Sequence, residues 1–105
     1  MTPEGQLKAD CRKVAKRHKL LFVNVEGKGY KGWPDTACGK FPAGSGMIHI
    51  EFKRPGVVLD MTDALDPQVR RIKEIRAAGG EADWCNSYER WRQLVGLDAD
   101  PLAGL

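Results

Sequence analysis

The sequence has few cysteines, and none of them stand in a metal-binding spacing. Its three cysteines, Cys11, Cys38 and Cys85, are far apart and form no Cys-x-x-Cys pair. An odd number of thiols cannot all pair within one chain, which excludes a disulfide scaffold, and a zinc ribbon would need ligands that are missing. We therefore expect reduced thiols that lie at least partly in the core.

Long apolar runs are also missing. No stretch approaches the roughly 20 residues of a membrane-spanning helix. The N-terminal residues 1–4 lack the basic start and apolar stretch of a secretory signal, so a cytoplasmic location is the default expectation. Hydrophobic residues make up 42% and charged residues 30% of the chain, which excludes a disordered tail. The 105-residue length predicts a single domain over residues 1–96, followed by a loose tail over 97–105.

Positive charge is in small excess overall, with 17 lysines and arginines against 14 acidic residues. The excess lies in the first half of the chain. Residues 1–54 carry 11 basic and 5 acidic side chains, whereas residues 55–105 carry 6 and 9. A basic half on a folded domain favours a polyanionic partner such as nucleic acid. A solvated helix face would explain the charge equally well.

Hydrophobic periodicity and capping residues predict the element order α-β-β-β-α-β-α. Thr2, Asp66 and Ser87 each have the side chain and position of a helix N-cap, and proline follows the first two. Strands are predicted near residues 21–26, 35–37, 47–53 and 81–86. The third and fourth strands are joined by a helix, which predicts a right-handed crossover. The expected fold class is therefore α/β, with a small mixed sheet flanked by helices.

The third predicted strand separates two kinds of side chain. Its apolar face consists of Ile48, Ile50 and Phe52, and must pack on a helix. Glu51 and Lys53 project side by side from the other face, where a simple salt bridge would also account for them. His49 shares that face. We interpret it as a partly buried structural histidine in preference to a substrate contact.

A glycine-rich loop precedes Asp35. Residues 27–35 contain three glycines and a proline, but no Gly-Lys-Ser/Thr follows the spacing of a phosphate-binding P-loop. Tyr30 and Trp33, with Lys28 and Lys31, suit contact with a nucleic-acid backbone or stacking on a base. A flexible hairpin with an aromatic anchor is an equally good interpretation.

Together, these segments resemble the PD-(D/E)XK nuclease superfamily, and most of all its VRR-NUC (virus-type replication-repair nuclease) branch with small stand-alone phage and bacterial members. The matched features are Glu4, the glycine-rich approach to Pro34-Asp35, the segment 50–56 (IEFKRPG), and Gln68 followed by Ile72, Ile75 and Gly79. An isolated Glu-x-Lys is common by chance. The ordered set, with a strand, a helix and a glycine in place, is fairly specific.

The resemblance implies a restriction-endonuclease-like core and a Mg²⁺- or Mn²⁺-dependent DNA endonuclease, a hydrolase of phage or bacterial DNA replication and repair. The implied metal ligands are Glu4, Asp35, Glu51 and the backbone carbonyl of Phe52. Lys53 would polarise the attacking water, and Gln68 would support the site. The chemistry is consistent, because Mg²⁺ and Mn²⁺ prefer oxygen ligands and activate water for phosphodiester hydrolysis.

Phosphate contacts are expected from basic residues of the first half, namely Lys8, Arg12, Lys28, Lys31 and Arg54. A symmetric homodimer would present two active sites to two strands, as a four-way junction resolvase requires. Two departures stand out: the link over residues 54–68 is long, and Thr36 replaces the more usual apolar residue, which predicts a loosened strand edge. Two alternatives stay open. One is a nuclease fold that binds nucleic acid without cleaving it, and the other is a protein-interaction domain that uses neither metal nor nucleic acid.

Overall fold

The structure is a computed structural model that describes residues 1–25 and 29–99. Its elements are α1 (Pro3–Arg17), β1 (Phe22–Asn24), β2 (Thr36–Gly39), β3 (Met47–Phe52), α2 (Pro67–Ala77), β4 (Ala82–Cys85), α3 (Tyr88–Val95) and a 3-10 turn, Leu97–Ala99. The predicted order of helices and strands is confirmed, although β2 begins and ends later than expected. No helix in the described ranges is long and apolar enough to span a bilayer.

All three helices begin where the capping residues predict. The Thr2 hydroxyl accepts from the Gly5 amide at 3.1 Å, and the Asp66 carboxylate accepts from the Gln68 amide at 2.8 Å. Ser87 serves α3 in the same way. Each cap satisfies an amide that has no partner within its helix, which fixes where the helix starts.

The four strands form one mixed sheet in the order β1-β2-β3-β4. The first three are antiparallel, and β4 lies parallel to β3 after the α2 crossover. Thr36 pairs with Ile50, so the register carries Asp35 to a position opposite Glu51, at the end of the sheet where β3 ends. Two acidic residues that are far apart in sequence are thereby brought to the same edge.

Helices cover both faces of the sheet. On one face, Ile48, Ile50 and Phe52 pack in a cluster with side chains from α1 and α3. On the other, a second cluster is built largely from α2 together with Leu59 and Ala82. The predicted alternation along β3 is confirmed, and its consequence is that His49 and Glu51 face the α2 layer rather than open solvent.

The three cysteines are free and buried, as expected. Burial is the largest influence on each thiol. It raises the pKa of Cys38 to about 12 and that of Cys85 to about 11, and it raises the pKa of Cys11 further still. Such thiols stay protonated near neutral pH and are therefore poor nucleophiles.

Two local predictions need correction. Thr36 is fully buried, and its hydroxyl donates to the Ile50 carbonyl at 2.7 Å, so it fastens β2 to β3 instead of loosening the edge. The chain is not a loose tail from residue 97, because Leu97 is fully buried in the core. Residues 100–105 of the predicted tail lie outside the described residues.

Candidate metal and nucleic-acid site

The carboxylate of Asp35 is held at the end of the sheet by groups from two elements. One oxygen accepts a hydrogen bond from the Phe52 amide at 3.2 Å, and the other lies 2.9 Å from the ammonium of Lys8 on α1. The Thr36 hydroxyl also lies 3.4 Å from Asp35, but its single proton is given to Ile50. Asp35 is therefore tied to the backbone of β3 at Phe52, the residue that follows Glu51.

Glu51 is the most unusual acid in the described structure. Only 6% of its surface is exposed, and no described hydrogen bond or ion pair ends on its carboxylate. Burial raises the pKa of Glu51 from 4.5 to about 8, and the nearby charge of Asp35 adds to the effect, with Lys53 acting against it. Burial of this kind disfavours the charged form of the carboxyl near neutral pH.

The side chains of Lys53 and Gln68 are brought together. The Lys53 ammonium donates a hydrogen bond to the Gln68 side-chain carbonyl, and both side chains are partly buried. Gln68 sits in the first turn of α2. The same turn is packed against the glycine-rich loop: a Cβ added at Gly32 would lie 2.7 Å from the Gln68 amide nitrogen. The loop and the first turn of α2 are thus in direct contact.

The third predicted carboxylate reaches the site from the opposite layer. Glu4 lies in the first turn of α1, and its charge contributes to the raised pKa of Glu51. In the part of the chain that the structure describes, no three or more histidine, cysteine, aspartate or glutamate side chains are placed to hold a metal ion. The predicted three-carboxylate set is therefore not assembled as a ready-made cation site.

The available donor set nevertheless fits a hard divalent cation. Asp35 and Glu51 supply carboxylate oxygens at one end of the sheet. The amide of Phe52 points at Asp35, and because the N–H and C=O of one residue in an extended strand point the same way, its carbonyl faces the same edge. Oxygen donors of this kind suit Mg²⁺ and Mn²⁺. A divalent cation at this edge would offset the repulsion between the Asp35 and Glu51 carboxylates, which adds to the raised pKa of Glu51.

Two of the predicted basic residues line a cleft that begins at Asp35. Lys8 and Arg12 face it from α1, opposite Asn24 and Val25, and its volume is about 390 Å³. The guanidinium of Arg12 lies 5.2 Å from the centre of the Phe22 ring. Lys8 and Arg12 thus place two positive charges along a cleft that begins at Asp35, and such a row of charges suits a phosphate backbone.

The other basic residues are less informative. Lys31 and Arg54 are exposed, and Lys28 lies outside the described residues. A larger cleft, of about 600 Å³, lies at the opposite end of the sheet and contains none of the predicted site residues. It plays no part in the candidate site.

Sequence reasoning missed two contacts. It assigned Lys8 to nucleic acid and not to Asp35, although its spacing of four from Glu4 places both on one helix face. It also did not foresee that the ring of His49 packs edge-on against Trp33, with centroids 5.7 Å apart. His49 is partly buried, and its Nδ1 has no hydrogen-bond partner among the residues that the structure describes.

Comparison with known proteins identifies the fold. A solved structure described as a VRR_NUC domain superposes with a TM-score of 0.71 at 18% sequence identity, over 91% of this chain and 97% of that one. No family model matches the sequence, and a search of curated proteins finds no match. The chain therefore has a VRR-NUC fold, which confirms the predicted fold class. At this identity the likeness is one of fold and carries no residue roles across.

Proposed function

We propose that this protein is a metal-dependent DNA endonuclease that hydrolyses phosphodiester bonds. The observation that carries the proposal is the Glu51 carboxyl, which is 6% exposed and has no described hydrogen bond, at the end of the sheet opposite Asp35. Burying an acid without partners costs stability, and a fold keeps such a group when a ligand compensates it. The VRR-NUC fold supports the same conclusion.

Asp35, Glu51 and the carbonyl of Phe52 would hold the divalent cation, with Glu4 as a further ligand from α1. When bound, the cation lowers the pKa of a coordinated water and neutralises charge on the phosphate. Lys53 would orient the attacking water and stabilise the negative charge that develops on phosphorus-bound oxygen. Its hydrogen bond to Gln68 holds the ammonium in one place on the α2 side of the site.

Lys8 and Arg12 would contact phosphates of the bound strand along the cleft beside Asp35, with Lys31, Arg54 and Lys28 as further contacts. Such contacts give sequence-independent binding that weakens as salt rises. One chain carries one candidate centre. Cutting both strands of a branched substrate therefore requires a second copy, and we propose a symmetric homodimer for that purpose.

A cleavage assay with matched variants tests the proposal. Purified protein is incubated with Mg²⁺ or Mn²⁺ and a panel of duplex, flap, single-stranded and four-way-junction DNA. We expect metal-dependent cleavage that falls at least about 100-fold in Glu51→Gln and Lys53→Ala. Glu89→Gln and Lys73→Ala make the same chemical changes at exposed positions, and they should cleave like the wild type.

A nucleic-acid-binding module without cleavage is the second candidate. It is favoured by one observation, namely that the described residues do not form a ready three-ligand metal cluster. Salt-sensitive DNA binding by the wild type, with no cleavage of any substrate in either metal, would establish this module and reject the endonuclease. RNA versions of the same substrates show whether the sugar matters.

A further inference from the structure

A pocket with aromatic walls lies next to the candidate site. We call it the aromatic pocket. Its volume is about 400 Å³, and it is lined by Tyr30, Trp33, His49, Glu74, Ile75, Ala78 and Gly80. The aromatic side chains come from the glycine-rich loop and from β3, and the remaining residues come from α2 and the turn that follows it. Lys53 and Gln68, which are joined by a hydrogen bond, do not line this pocket.

The loop that carries the two aromatic residues is clamped in place. Tyr30 and Trp33 meet edge to face with centroids 5.6 Å apart, and the guanidinium of Arg71 lies 5.1 Å from the centre of the Tyr30 ring. Arg71 also donates to the backbone carbonyl of Lys31 at 3.0 Å and to both carboxylate oxygens of Glu74. These contacts hold residues 30–33 against α2 as one side of the pocket, while Tyr30 remains 57% exposed.

The pocket is placed one step along β3 from Glu51. His49 lies two residues before Glu51 on the same face of the strand, which corresponds to about 7 Å at the rise of a β-strand. A single nucleotide spans a distance of this size. A phosphodiester at Glu51 and a base beside His49 would therefore be one nucleotide apart.

The lining suits a base better than an apolar side chain. Aromatic rings stack on any base because every base has a π face, and a neighbouring guanidinium strengthens such stacking. His49 adds an imidazole ring to the lining, packed edge-on against Trp33 with centroids 5.7 Å apart.

We propose that the aromatic pocket receives one unpaired base of the substrate strand, next to the phosphodiester held at Glu51. This inference rests on the proposed function and deepens it. The faces of a paired base are covered by its neighbours in a duplex, so only a base outside the stack can enter. The substrate class is therefore DNA with an unpaired nucleotide at the cleavage point, such as a flap or a bulge, in preference to continuous duplex.

Binding without cleavage provides the direct test. Affinity is measured in Ca²⁺ for a duplex that carries one unpaired nucleotide, and for the same duplex with an abasic residue at that position. We expect Tyr30→Ala to weaken binding of the first DNA about tenfold, within the range of base–aromatic stacking. It should leave binding of the abasic DNA unchanged. Tyr30→Phe, which keeps the ring, should bind both as the wild type does.

Leu21→Ala is the matched control, because Leu21 is also a large exposed side chain, at 62%, and lies away from the pocket. Unchanged binding of the unpaired-base DNA by Tyr30→Ala would overturn the pocket assignment. So would an equal loss on the abasic DNA, since no base is then involved. If the wild type binds none of these DNAs, the proposed function itself fails and not only the pocket.

Discussion

The two faces of β3 are buried alike but are chemically opposite. On the α1 and α3 side, Ile50 and Phe52 are fully buried among apolar neighbours. On the α2 side, Glu51 is almost as deeply buried, and His49 keeps a nitrogen without a partner. One face stabilises the fold by removing apolar surface from water. The other holds polar groups whose burial costs stability.

Substituting two adjacent residues of β3, one from each face, tests the difference between the faces most directly. Ile50→Ala should lower the free energy of unfolding by about 2–5 kcal/mol, because it leaves a cavity in the core. Glu51→Gln should raise it, by about 1–3 kcal/mol at pH 8–9, because it removes a buried charge while keeping the shape. Urea denaturation of both variants and the wild type measures the two values. A Glu51→Gln variant less stable than the wild type would contradict the unsatisfied state of this carboxyl.

The pH dependence of the free energy of unfolding gives a second test of the Glu51 face. The pKa of Glu51 is about 8 in the folded protein and near 4.5 when exposed. Between these values the folded state holds a proton that the unfolded state has released, so stability falls as pH rises, by up to about 1.4 kcal/mol per pH unit. The stability that the protonated Glu51 carboxyl preserves is fully present below pH 4.5 and is lost above pH 8.

Denaturation at pH 5, 6.5, 8 and 9 provides the measurement, and the wild type is compared with Glu51→Gln at each pH. The difference should grow with pH in favour of the variant. Saturating Mn²⁺ at pH 8 should shrink it, because only the wild-type carboxylate gains a cation. A constant difference across the series would show that Glu51 titrates as an ordinary exposed acid.

The smallest expected effect concerns the lysine that approaches the site from the α1 layer. Lys8 sits 2.9 Å from the Asp35 carboxylate, where it competes with a bound cation for one oxygen. Lys8→Met should therefore tighten Mn²⁺ binding about fivefold, the size expected for a partly exposed ion pair. Calorimetric titration measures this change. Lys13→Met removes the same charge from an exposed position of α1, and it should alter the affinity much less.

The features that could be predicted from the sequence are those that depend on residues close together in the chain. The caps at Thr2, Asp66 and Ser87 and the alternation along β3 are local signals, since each reflects neighbours within a few residues. The family resemblance singled out Lys53 and Gln68 separately, and the hydrogen bond between them is visible only in the structure. The fold class was predicted for the same reasons and is confirmed by the structural comparison.

Other features depend on register and on layers, which a single sequence does not reveal. Thr36 resembled a weak strand residue because its bond to the Ile50 carbonyl exists only in this register. Glu4 matched a ligand position, but the described residues place no three acidic side chains where they could hold one cation. The clamp of Arg71 on the glycine-rich loop spans 40 residues and leaves no mark in local composition.

The contact at Gly32 has a mechanical consequence. Its backbone, at a φ of +84°, touches Pro67 and Gln68 with no space for even a methyl group between them. The loop at Gly32 therefore cannot shift toward α2 without displacing its first turn. That turn carries Gln68, which accepts a hydrogen bond from the Lys53 ammonium, so the loop and the Lys53 side of the candidate site are held as one unit.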